Sequence, residues 1–79
     1  MWEARAEPDA HPRLVAWACA VAGELQELPG SAGVEVFTSA DFRVVVTARW
    51  RTAPVDLPEP PGDLVARPPH AWDFTLVER

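Results

Sequence analysis

Phe42-Arg43-Val44-Val45-Val46-Thr47-Ala48-Arg49-Trp50-Arg51 is the stretch that decides the fold. Phe42, Val44, Val46, Ala48 and Trp50 fall on one side of an extended chain, and Arg43, Val45, Thr47, Arg49 and Arg51 on the other. A period of two carried by β-branched and aromatic residues is the pattern of a half-buried strand. As the longest such run, it is expected to be the central strand of a sheet.

Working outward, Gly33 to Thr38 is a second strand, with Val34 and Val36 opposed to Glu35 and Phe37. Ser39-Ala40-Asp41 turns it into the long strand, so the two form a hairpin. Upstream, the period changes to that of a helix. Leu14, Trp17, Ala18, Val21, Leu25 and Leu28 form one stripe over Arg13–Leu28, with Asp9 expected as cap and Pro12 in the first turn. Pro29-Gly30 ends it, because proline lacks the donor and glycine readily leaves the right-handed conformation. Trp2, Ala4 and Ala6 alternate with Glu3 and Arg5 as a first strand ended by Pro8.

Downstream of Arg51, prolines crowd residues 53–69 and exclude a long helix, leaving Gly62–Arg67 as one helical turn capped by Asp63. Alternation returns with Trp72, Phe74 and Leu76 against Ala71, Asp73, Thr75 and Val77, which predicts a last strand whose tryptophan side faces the helix. The order strand, helix, strand, strand, connector, strand is that of an α+β ferredoxin-like sandwich. A four-stranded sheet, order 4-1-3-2, carries one main helix on one face. The whole of residues 1–79 is expected to be a single domain, with 53–69 a proline-rich connector in place of a second helix.

Composition narrows the function classes. A chain of 79 residues hides only about 60% of its unfolded surface by itself. Cys19 is the single cysteine, so no internal disulfide helps, and mid-helix it is expected to be a buried structural thiol. Cys19, His11 and His70 are too scattered for a metal site. Dense aromatic packing or a second subunit remains, and a homodimer is expected. The net charge of −5 argues against nucleic acid. The apolar run Leu14–Ala22 falls short of the ~20 residues of a membrane span, and the first residues lack the basic start of a signal peptide. A cytoplasmic location without membrane attachment is the expectation.

Several segments resemble the dimeric α/β-barrel superfamily, and within it the antibiotic biosynthesis monooxygenase-like domains. They are Glu3-Ala4-Arg5-Ala6-Glu7-Pro8 before the helix, Leu28-Pro29-Gly30 through Phe37 after it, Asp41 through Trp50 with tryptophan closing the strand, and His70-Ala71-Trp72-Asp73-Phe74. The resemblance spans about two thirds of the chain. It implies a homodimer with facing sheets and a cleft between sheet and helices for an aromatic or polyketide-type molecule, with cofactor-independent oxygenase activity in some members. No cofactor is expected on that reading. The chain departs from the family in two respects. The proline-rich segment stands in for the second helix, and there is no Asn or Tyr, residues that several active members use.

The candidate site residues follow. Trp50 and Trp72 are the expected pocket-lining pair; the alternative is that all four tryptophans are core. His70 is the one acid–base candidate beside them and a further ligand contact, without the positioned partner that a catalytic pair needs. Arg43, Arg49 and Arg51 can be neutralised by Glu3, Glu35 and Asp73 as an ion-pair ladder. Pro58-Glu59-Pro60-Pro61 has P-x-x-P spacing, which a rigid connector explains most simply. The leading reading is a small-ligand-binding or oxygenase-like domain. The rival is an accessory module that docks on another protein through its open sheet face or its proline-rich segment.

Overall fold

The computed structural model describes residues 1–78. Strand β1 (Trp2–Arg5) leads through a 3-10 turn at Pro8–Ala10 into helix α1 (His11–Gln26); strands β2 (Ser31–Thr38) and β3 (Arg43–Trp50) form a hairpin; a second 3-10 turn spans Gly62–Leu64; and β4 is His70–Ala71. The sheet order is β2-β3-β1-β4, the expected order read from the other edge, and every neighbouring pair is antiparallel. The fold is α+β, a four-stranded antiparallel sheet with one main helix packed on it. Because β3 separates them, β1 and β2 run parallel, as a strand–helix–strand crossover requires.

Register assigns the faces. Trp2 lies opposite Val46 and Ala4 opposite Val44, and all four are buried against α1 through Leu14 and Ala18. Glu3 opposite Val45, and Arg5 opposite Arg43, point to the other face. There Arg43 approaches Glu3 at 4.0 Å and Arg49 approaches Glu35 at 3.8 Å, so two rungs of the expected ion-pair ladder are present. The like charges of Arg5 and Arg43 are reconciled by Asp41, whose carboxylate lies 3.4 Å from the first and 3.1 Å from the second. A hydrogen bond from the Ser39 hydroxyl, then these two guanidinium groups, hold the Asp41 carboxyl below its ordinary value.

The helix starts and ends two residues earlier than its periodicity predicts. Ala10 rather than Asp9 stands at its N-cap, without a side-chain cap, because Asp9 is taken into the preceding 3-10 turn. At the other end Leu28 is left exposed. Leu14, Ala18, Val21, Ala22 and Leu25 form the buried stripe. Cys19, about 100° around the axis from Ala18, falls off it and is exposed, which corrects the expected buried thiol.

Phe42 is also corrected. Instead of opening β3 on the core side it sits in the hairpin turn at φ 66°, partly out of the protein, its ring T-shaped against that of His11 with 5.7 Å between centres. His11 Nε2 and the Thr38 hydroxyl share a 2.7 Å hydrogen bond, which ties the helix start to the hairpin. A bulge between Ser31 and Gly33 is made possible by Gly33 at φ 139°, where a side chain would be strained.

Residues 53–69 carry one regular turn, Gly62–Leu64, shorter than the expected helical turn to Arg67. The segment is anchored nonetheless. Leu64 is buried in the core, Leu57 packs partly against it, and Val65 bridges to Ala6. Pro60 is buried too, so the P-x-x-P stretch is not a free polyproline ligand. The last strand departs most from expectation, since β4 stops at Ala71 and Phe74, Leu76 and Val77 are exposed.

Candidate functional site

The site arises from unequal strand lengths. Strand β1 pairs with β3 from Arg43 to Val46, whereas β3 runs on to Trp50 with only β2 beside it. On the far side, β4 extends past β1 as residues 72–76. The Trp72 N–H donates to the Met1 carbonyl at 2.8 Å, which carries the β1–β4 ladder one residue further. A notch therefore opens at one end of the sheet, between the overhang of β3 and the chain after β4.

A cleft of about 580 Å³ occupies it, within the range of small-ligand sites. Trp2, Val46, Ala48 and Trp50 contribute from the core side of the sheet; Pro54, Val55 and Leu57 of the proline-rich segment close one flank, and Trp72, Phe74 and Leu76 the other. Residues from both sheet faces reach it, Thr47 and Arg49 included, because the cleft is at the end of the sheet. No residue of α1 lines it. The cleft thus opens at the end of the sheet, past the β1–β3 pairing, and not between the sheet and α1.

Three tryptophans meet here, and they differ in burial. Trp2 is 5% exposed and belongs to the core, with Trp17 tilted against it at 5.7 Å between ring centres. Trp50 is partly buried and Trp72 is 43% exposed. The two expected lining residues are therefore brought together, though Trp72 does not come from the helix-facing side of a strand. Ala71 is the residue opposite Trp2; His70 is opposite Glu3 on the other face. A shift of one residue in register exchanges every side chain between faces, and here it turns Trp72 to the side of His70. Their rings stack at 5.9 Å with planes 16° apart.

His70 is exposed and does not line the cleft; it backs Trp72 from outside. The ionisable side chains that do line it are Arg49, Asp56 and Asp73. Arg49 is paired with Glu35. Asp73, expected in the ion-pair ladder, makes no ion pair among the described residues, and neither does Asp56. Among the described residues no three His, Cys, Asp or Glu side chains stand together as a metal-binding group. The flank Pro54–Leu57 was hidden in the sequence by its prolines. Its one signal was Val55 and Leu57 alternating with Pro54 and Asp56. Compared with family models, curated proteins and solved structures, the chain matches none.

Proposed function

We propose that this domain binds a small aromatic ligand in the notch at the end of its sheet, and that binding is its task. The convergence of Trp2, Trp50 and Trp72 on one half-open cleft carries the reading. Offset or edge-on aromatic pairs add about 0.5–1.5 kcal/mol each beyond the area they bury, and a planar guest reaches two exposed indole surfaces here. The lining has no nucleophile set beside a base, and His70 lies outside it. The strand order and the tryptophan that closes β3 fit a dimeric α/β-barrel domain reduced to one helix.

Intrinsic tryptophan fluorescence gives the test. Titration with 2-naphthol or 1,4-dihydroxynaphthalene is expected to quench emission saturably, with a Kd on the order of 10–100 µM, equivalent to about −5.5 to −7 kcal/mol. Trp72→Ala should weaken binding roughly tenfold, or about 1.4 kcal/mol, without lowering the melting temperature. Linear, unsaturable quenching defeats the reading. Oxygen uptake with the dihydroxynaphthalene that His70→Ala abolishes would make His70 a catalyst instead.

A homodimer belongs to the same proposal. On the face away from α1, half-exposed Phe37 stands among the Arg43–Glu3 and Arg49–Glu35 pairs, so two copies facing each other present an apolar centre and both signs of charge. Light scattering at low micromolar concentration should give twice the 8.7 kDa chain mass. A monomer mass defeats it.

A further inference from the structure

We infer that a second copy of this chain adds to the sheet along the outer edge of β2, so that the two sheets become one and the two helices lie side by side on it. This contact uses a different surface from the facing of sheets proposed above, and neither depends on the other.

Among the described residues no strand pairs with β2 on the side away from β3. The opposite outer strand, β4, is two residues long, whereas β2 has eight. Backbone direction along β2 follows from the turn. The Ser39 N–H donates to the Arg43 carbonyl at 3.1 Å, so that pair is bonded. In steps of two along an antiparallel ladder, Phe37 and Glu35 turn their N–H and C=O groups to Val45 and Thr47 of β3. Val34, Val36 and Thr38 turn theirs outward. A bare edge is a template for another strand unless proline, lysine or a bulge guards it. The irregularity at Ser31–Gly33 lies before this stretch, which contains neither proline nor lysine. Glu35 is the one charge on β2, and Arg49 neutralises it at 3.8 Å.

The helix supplies a second layer to the same strip. Trp17 is tilted against Trp2, so that flank of α1 faces β1. At 100° per residue the other flank carries His11, Val15, Cys19, Ala22 and Gln26. It stands on the β2 side, where His11 bonds the Thr38 hydroxyl at 2.7 Å. This flank has no carboxylate, lysine or arginine; Arg13, Glu24 and Glu27 lie elsewhere round the axis. Copies of a chain that carries −5 repel each other in general, and this strip brings no uncompensated charge together. The edge is also self-complementary. Its three outward residues are symmetric about Val36, so an antiparallel copy sets Val36 opposite the partner's Val36, and Val34 opposite the partner's Thr38. Every outward N–H and C=O of the stretch is then bonded. Centring the pair on Glu35 instead would oppose two carboxylates, which is unfavourable.

The test uses the whole chain with a reductant present. Light scattering from about 5 to about 500 µM should show mass rising with concentration, to four chain masses if the sheet faces also meet and to two if they do not. Cys19→Glu places a carboxylate at an exposed position of the flank. It should weaken the association roughly tenfold at an unchanged melting temperature, whereas Cys19→Ser should leave it intact. At about 500 µM the amides of Val34, Val36 and Thr38 should exchange roughly tenfold more slowly in the wild type than in Cys19→Glu. Equal exchange at all three amides overturns edge pairing and, if a dimer still forms, leaves the facing of sheets standing. A rise in mass that Cys19→Glu does not disturb puts the contact on another surface and overturns the inference. A monomer mass across the whole range overturns both.

Discussion

Trp2 and Trp50 lie on one face of the sheet, the first opposite Val46 and the second further along β3, yet they differ in consequence. Trp2 is held beneath α1 by Trp17 and its core neighbours and reaches the notch only at its margin, whereas Trp50 keeps a larger surface open to it. Thermal melts should separate them. Trp2→Ala removes a core aromatic and should cost about 3–5 kcal/mol, a fall of well over 10 °C for a domain of this size. Trp50→Ala should cost on the order of 1 kcal/mol and abolish naphthol quenching instead. Equal losses would put both residues in the core. Alternation in the sequence placed the two on one side but could not say which was covered, because the cover comes from residues distant in the chain. Cys19 shows the same limit in a helix. Its apolar neighbours suggested burial, and one step of rotation past Ala18 was enough to expose it.

At the scale of elements, α1, the β2–β3 hairpin and β1 were legible because their periodicities are long and each has a partner to bury against. The segment after Ala71 alternates as well as β1 does, but its pairing goes no further than the bond between Trp72 and Met1. Alternation states which side chains share a face, whereas a ladder needs a neighbouring strand as well. The turn at Phe42 and the bulge at Gly33 were invisible for a related reason. Both break the period of two by a backbone conformation, φ 66° in one and 139° in the other, that no hydrophobic pattern encodes. The candidate site is made of these departures. The sequence named Trp50 and Trp72, but the notch that joins them comes from the mismatch in length between β1 and β3.

With one main helix on the sheet, the whole molecule is elongated. Its radius of gyration is 12.8 Å, against about 11.6 Å for a compact domain of this length, and its longest axis is 40 Å. Phe74 at 75% exposure and Leu76 at 88% mark the chain after β4 as an uncovered apolar flank of the cleft. No helix among the described residues is long and apolar enough to cross a membrane. Such a flank has a physical role if the notch is filled, since a guest lying between Trp50 and Trp72 covers part of it. The four indole N–H signals resolve this in one heteronuclear NMR titration with 2-naphthol. Binding in the notch shifts the signals of Trp50 and Trp72 saturably and leaves Trp17 nearly in place. Saturable shifts confined to Trp17, or to backbone amides around Phe37 and Val45, would contradict it.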